Sequence, residues 1–388
     1  MKRISILFLT FVMFIGTSLN VYASTPRSET RSQAIEAGGQ LAEVIEIIMT
    51  RYLSDEITVD ELLEGALRGM TENLDRYSTY LNNAELMQFT GALTGRLRGI
   101  GVQLLTLESG RVVVTRVFAG SPAERAGVQT GDIIVSVDGT DVQSADIETI
   151  RFLILNPDTD NALVSFDRDG EIITFDIPKE IIYAPTVLVD YLDEMPEAEG
   201  FRNIGDFRYI QITSVGLTTG DDLRSAIETM REENVRGIIL DLRSNTGGYL
   251  DVTLDIANQI VPAGVVLRTV NQAGHTRTHA SVLREVPFDS IVVLVNQFTA
   301  SAAEVIASAL QDSGAAVVVG ETTFGKGLVQ TMYFLQTGGA LKLTTEEYFR
   351  RNGGTINDIG VTPCYVVERG DGEMDAVLLR GLELLLDR

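Results

Sequence analysis

From about Asn203 onward the chain alternates strand-like and helix-like segments, and this alternation narrows the fold more than any other feature. Tyr209-Ile210-Gln211-Ile212 reads as a strand, and Leu223, Ala226, Ile227 and Met230 mark a helix. Gly237 to Leu240 is a buried strand, followed by a loop and a helix through Leu254 and Ala257. Ile291 to Val295 is a further strand, then come a helix from about Ala302 to Gln311, the strand Ala316 to Val319, and a closing helix from Met374 to Leu386. Strands that alternate with helices in this way imply an α/β core.

Two other patterns precede it. Leu41, Val44, Ile45, Ile48 and Tyr52 follow helical spacing, after a polar stretch from Ser24 to about Arg31 that reads as a loose mature N-terminus. Thr58 and Glu61 form a capping-box pair ahead of Leu62, Leu63, Ala66, Leu67 and Met70. From about Leu97 to Ile182 the pattern becomes short strands, among them Val112-Val113-Val114, Ile133-Ile134-Val135 and Leu163-Val164-Ser165-Phe166, with a helix within Ala145 to Leu155.

At 388 residues the chain is long enough for two or three domains and a sizeable core. Its net charge of −23 argues against nucleic acid and against electrostatic attachment to anionic lipid. Lys2 and Arg3, the apolar run Ile4 to Ile15, and Val21-Tyr22-Ala23 have the three parts of a secretory signal cut after Ala23. The apolar run is short against the ~20 residues of a membrane span, so a cleaved signal is the favoured reading and an uncleaved anchor the alternative. Export to the periplasmic or extracellular side of a bacterial envelope follows. Cys364 is the single cysteine, so no internal disulfide forms; it reads as a buried or semi-buried thiol.

In the β-rich module, Gly99-Ile100-Gly101-Val102 places two glycines ahead of alternating apolar residues. Such backbone can turn several amides toward one carboxylate, and the strand behind it can pair with an extended peptide. Gly120-Ser121-Pro122-Ala123, then Ala126-Gly127, Gly131-Asp132-Ile133-Ile134 and Val137-Asp138-Gly139 follow. This run resembles a PDZ domain of exported proteases. The resemblance implies capture of a protein's C-terminal tail by Gly99, Ile100, Gly101 and Val102.

The chemistry-bearing residues lie in the α/β part. Ser301 sits in Thr299-Ala300-Ser301-Ala302-Ala303-Glu304, between an apolar run and a helix start, and Lys326 sits in the Gly-flanked turn Gly325-Lys326-Gly327. A serine hydroxyl must lose its proton to attack a carbonyl, and a neutral lysine amine can take it. A free lysine has a pKa of about 10.4, but burial lowers it by up to ~3–5 units, and Phe324, Leu328 and Val329 are at hand as apolar walls. Asn245-Thr246-Gly247-Gly248, directly after a buried strand, could offer amides to an oxyanion, with the Ala302 amide at the helix start as a second donor. Taken singly, Ser301 with Glu304 is a helix cap, Lys326 a solvated turn lysine and the glycine pair a turn; together in one α/β segment they point to hydrolysis.

At these residues the chain resembles the C-terminal processing peptidases, or tail-specific proteases, of the Ser/Lys type. Gly237 to Gly248, Val295 to Glu304, Ala309 to Asp312, Gly320 to Gln330, Ala340 to Thr345, Leu74 to Ser78 and Gly360 to Pro363 carry the likeness, in order along the mature chain. It implies Ser301 as nucleophile, Lys326 as general base, Gln330 as the residue orienting the lysine, and the Gly247 and Ala302 amides as the oxyanion hole. Helical spacing would put Lys326 and Gln330 on one face. The sequence departs from the family at Thr299 and Ala303, which flank the serine, at Thr246 in place of a proline, at Arg76, and at Cys364. Ile154-Leu155-Asn156 lacks the arginine thought to couple the PDZ domain to the catalytic site.

The expected architecture is an α/β, crotonase/ClpP-like core with an inserted, mainly β PDZ domain and an N-terminal helical region. Its divisions are a signal at 1–23, helices at 24–95 suited to dimerisation, the PDZ domain at 96–182 and the peptidase core at 183–388. The partners are protein or peptide substrates held by their C-terminal tails, with room for a homodimer and for an activating or adaptor protein. No cofactor and no metal is called for. His275 and His279 have i, i+4 spacing but no helical pattern around them, and they read as a polar loop. The alternatives are a non-catalytic PDZ-containing peptide-binding scaffold or regulator, and a carrier on the same core with an apolar cavity.

Overall fold

The apolar runs of the C-terminal half form one twisted sheet whose strands are buried on both faces. In the computed structural model, which describes residues 28–93, 96–107, 109–156, 158–183, 185–367 and 375–387, six strands stand in the order Val187–Tyr191, Phe207–Ile212, Gly237–Asp241, Ser290–Val295, Ala316–Gly320 and Tyr365–Val366. The first pair is antiparallel and every later pair parallel. Side chains alternate across a strand, so Ile238 and Leu240 pack with Leu223, Ile227, Ile256, Ile260 and Ile306 from three helices. Ile239 points the other way, into a core with Val377, Leu378 and Leu382 of the closing helix Ala376–Leu386. Helices on both faces are what a parallel sheet needs, since neither face can meet water. The expected secretory signal at 1–23 lies outside the described residues.

A second sheet is built from separate strands, of which the sequence foreshadows only Ala340 to Thr345. Its long strand Ala340–Arg350 pairs antiparallel with Leu328–Phe334 on one side. On the other side it pairs with Gly264–Asn271 and with the short strand Thr79–Leu81 from the N-terminal region. Thr276–Ser281 extends the sheet as a hairpin partner of Gly264–Asn271. Gln330 therefore lies on a strand, beside a bulge between Val329 and Gln330, and the helical spacing expected for Lys326 and Gln330 does not hold. The Thr276–Ser281 strand likewise replaces the polar loop expected around His279.

The β-rich module is an antiparallel sheet ordered Val102–Thr106, Val112–Val117, Ile133–Val137, Asn161–Arg168 and Glu171–Pro178. Val114, Ile134, Val164, Phe166 and the helix residue Ile150 close its own core. The chain enters along Arg96–Gly99 and leaves along Glu180–Tyr183, and these two segments pair with each other as an antiparallel ribbon. Gly101 has φ +93°, and a Cβ there would stand 2.2 Å from the Ser121 Cβ, so only glycine fits.

The N-terminal region is helical, as expected. Thr58 caps Val59–Glu72 with the reciprocal Glu61 bond. The preceding helix starts at Ser28, so part of the stretch read as loose is helical. It leaves Ile35, Val44 and Ile47 exposed. Cys364 is exposed rather than buried, with Gln311 Nε2 3.4 Å from its Sγ.

Candidate active site

Two loops leave the carboxyl ends of adjacent parallel strands, the place where open α/β sheets bind ligands. The first follows Gly237–Asp241. Asp241 holds Arg243, which also reaches Asp375 at 2.6 Å, and Tyr209 donates to Asp241 at 2.6 Å. The fully buried Asn245 is the buttress between the loops: its Nδ2 donates to the Ile212 carbonyl, its carbonyl accepts from the Ala300 amide, and its Oδ1 accepts from the Gly247 amide at 2.8 Å.

The second loop runs from Ser290–Val295 to the helix Ala302–Asp312 and carries Ser301. Thr299 Oγ1 donates to the Leu242 carbonyl, binding this loop to the first. Ser301 adopts φ 56° and ψ −119°, a strained conformation for a residue with a Cβ. A tight strand-to-helix turn of this kind lifts a serine side chain clear of the backbone. The Ala302 amide opens the helix and so has no intrahelical acceptor. A Cβ on Gly247 would stand 2.8 Å from both Ala302 N and Ser301 Cβ, so a glycine keeps open the space an oxyanion would take.

Glu304 joins nucleophile and base segments. Its carboxylate is fully buried and accepts four bonds. Oε2 takes the amides of Ser301 at 2.7 Å and Lys326 at 2.9 Å, and Oε1 takes Thr323 Oγ1 at 2.5 Å and the Gly325 amide at 2.7 Å. The residue read as half of a helix cap thus also fixes the lysine turn.

The Lys326 amine lies over the Tyr77 ring, 4.9 Å from its centroid. Burial holds its pKa below the ordinary lysine value, and the positive Lys342 adds to this, while Glu304 and Asp75 oppose it. Tyr77 belongs to the turn Asp75 to Ser78, which the Asp75 carboxylate organises through Tyr77 N, Ser78 N, Ser78 Oγ and Thr344 Oγ1. Gln330 Nε2 points at Thr344 Oγ1, 3.5 Å away.

Ser301, Ala302, Gly247, Lys326 and Gln330 line one cavity of about 600 Å³. Gly99, Ile100, Gly101 and Val102 are not among its walls; they run from the end of the ribbon strand Arg96–Gly99 to the start of the edge strand Val102–Thr106. The Gly247 amide is engaged by Asn245 in this state, which corrects the expectation of a free donor there. Sequence reasoning missed Tyr348, Lys342, Phe89 and His279, which also line the cavity. His279 is half-buried with Nε2 unpartnered, and burial together with the Arg277 charge lowers its pKa. Among the described residues no cluster of His, Cys, Asp and Glu could hold a metal ion.

Residues 206–367 match the model of peptidase family S41, and residues 113–168 match a PDZ domain model. The chain is 32% identical to the carboxy-terminal processing protease CtpA of Bacillus subtilis over 80% of its own length and 65% of that protein's. It is 30% identical to a carboxyl-terminal-processing protease of Synechocystis sp. over 83% of its own length and 75% of that protein's. Among solved structures, the photosystem II D1 C-terminal processing protease superposes with a TM-score of 0.51 at 25% identity, covering 84% of this chain and 92% of that one. Family model, relatives and fold agree: the chain belongs to peptidase family S41, the carboxy-terminal processing serine proteases, and carries a PDZ domain.

Proposed function

We propose that this chain is an exported serine endopeptidase that cleaves protein substrates near their C-terminal tails with a Ser301/Lys326 pair. The observation that carries the reading is the meeting of Ser301 and the pKa-depressed Lys326 in one cavity, with the amides of both on a single Glu304 oxygen. Ser301 Oγ attacks the scissile carbonyl as its proton passes to Lys326 Nζ. The oxyanion takes the Ala302 amide, and a second donor comes from the Gly247-Gly248 turn once substrate competes with Asn245 for the Gly247 amide. The protonated Lys326 then gives its proton to the leaving amine. In the second half, Lys326 takes a proton from water, which releases the acyl group from Ser301. Gln330, carried on the strand wall, orients the lysine when it turns from Thr344.

The PDZ domain, 96–182, supplies the tail-binding groove. The carbonyls of Ile100 and Gly101 are tied to the amides of Ala123 and Phe118, and Val102–Thr106 stands at the sheet edge ready for an added strand. The N-terminal helices, within 24–95, offer Ile35, Val44 and Ile47 to a second copy.

A fluorophosphonate probe and a protein substrate ending in an apolar tail test the reading together. Wild type should form a phosphonate ester at Ser301 Oγ, with fluoride expelled from the probe and the hydroxyl proton passing to Lys326, and should release a tail fragment identified by mass. Ser301→Ala and Lys326→Ala should do neither. Cleavage by those variants at the wild-type rate would refute the assignment.

A further inference from the structure

Tyr348 is 3% exposed and sits on the strand Ala340–Arg350, in register with Thr269 of the neighbouring strand. Its ring packs in the main core, where a phenylalanine would serve as well. What a phenylalanine lacks is the hydroxyl, which donates to the Lys326 carbonyl. The Tyr348 amide donates to the next carbonyl, that of Gly327, at 2.9 Å. The peptide carrying the lysine is therefore gripped from two directions: Glu304 takes its N–H and Tyr348 its C=O. Glu304 also reaches the serine, through the Ser301 amide, and Tyr348 lines the same cavity as Ser301.

We propose that Tyr348 is a positioning residue of the hydrolytic site, whose buried phenol holds the Lys326 peptide in register with Ser301. The proposal rests on the Ser301/Lys326 reading above. A phenol donates one hydrogen bond and accepts others. Its proton goes to the Lys326 carbonyl, and its side chain lines the cavity that also holds Ser301. Burial and the Glu304 charge raise the phenol's pKa well above its ordinary value, against the nearby Ser301 hydroxyl, which lowers it. The group thus stays protonated through any assay range and serves as a fixed donor rather than a proton relay. Arg76, Tyr77, Phe324 and Asn357 surround the same turn, but each meets it at another atom.

The test is Tyr348→Phe, read by the rate of fluorophosphonate labelling per folded molecule and by its pH profile, beside kcat and KM for a tail substrate. Misplacing a reacting group by about 1 Å costs roughly 100-fold, so labelling and kcat should fall by about 10- to 100-fold with KM nearly unchanged. The acid limb should move to higher pH, because a freed Lys326 carbonyl draws water to the lysine and restores its basicity. Asn357→Ala, which removes the acceptor 3.3 Å from the Gly327 amide without touching Ser301, is the structural control and should leave the midpoint in place. Wild-type labelling and midpoint in Tyr348→Phe would overturn the proposal, as would a loss that only follows the unfolded fraction. If that variant does not accumulate, 3-fluorotyrosine at position 348 keeps ring and hydroxyl but changes the strength of the bond to the Lys326 carbonyl. An altered labelling rate then supports the proposal and an unaltered one overturns it. Failure of wild type itself to be labelled at Ser301 would instead remove the underlying reading, and the inference with it.

Discussion

Replacing Glu304 with glutamine should loosen nucleophile and base together. The carboxylate offers acceptors on both oxygens to four donors, and an amide of the same shape offers one oxygen and one NH2 group. Turned one way, the NH2 faces the Ser301 and Lys326 amides; turned the other, it faces Thr323 Oγ1 and the Gly325 amide. In the second orientation Thr323 Oγ1, which accepts from the Val361 amide at 2.7 Å, still has a lone pair for the NH2, but its own proton and the Gly325 amide both lose their acceptor. Two buried donors therefore lose their acceptor in either orientation, at roughly 1–3 kcal/mol each, for a total of about 2–6 kcal/mol. For a 388-residue chain, whose unfolding entropy is about 0.8 kcal/mol/K, that corresponds to a melting temperature lower by roughly 2–7 °C. Differential scanning calorimetry measures the shift, and fluorophosphonate labelling at a temperature where both proteins are folded measures the consequence for Ser301. A melting temperature within about 1 °C of wild type, with labelling unchanged, would refute the claim that this carboxylate joins the two loops.

Three further outcomes are expected. Lys342→Met removes a positive charge that helps lower the Lys326 pKa, so that pKa rises and the acid limb of kcat/KM moves to higher pH; a limb that stays in place or moves to lower pH contradicts the electrostatic assignment. Gly101→Ala forces a Cβ to within 2.2 Å of Ser121 in a left-handed conformation; anisotropy of a labelled tail peptide should show lost binding, while Ser301 in the core is still labelled by the probe. Charged substitutions at Ile35, Val44 and Ile47 together should convert a dimer to a monomer in light scattering, and a monomeric wild type would count against the second-copy reading.

The alternation of strand and helix made the central sheet legible because a doubly covered parallel sheet leaves continuous apolar runs such as Ile238 to Leu240 and Ile291 to Val295. The second sheet was mostly illegible for the opposite reason. Leu328–Phe334 and Ala340–Arg350 are only partly buried on both sides, and Lys342, Glu346 and Glu347 break the apolar rhythm. Gln330 was placed on a helix face because i, i+4 spacing has the same arithmetic on a strand, where every even separation shares a face until a bulge intervenes. Ser301 was legible as a helix start. Its second relationship, through Glu304 to Lys326, spans 22 residues and needs the fold to exist. Tyr77 and Tyr348 were hidden in the same way: each looks like an ordinary aromatic until the turn around Lys326 closes on it.

The ribbon of Arg96–Gly99 against Glu180–Tyr183 has a topological consequence. Because the outgoing strand runs back beside the incoming one, the PDZ domain is a loop on the chain rather than a bead in series with it. Closing so long a loop adds only slightly to the entropy cost of a short one, so its insertion leaves the core's connectivity intact. A tight hairpin across the ribbon could replace the whole domain without moving Thr79–Leu81 from its place in the second sheet. The domain also touches the core sheet away from that ribbon, where Arg116 lies 3.4 Å from Asp190, so ribbon and ion pair together hold it against the strand Val187–Tyr191.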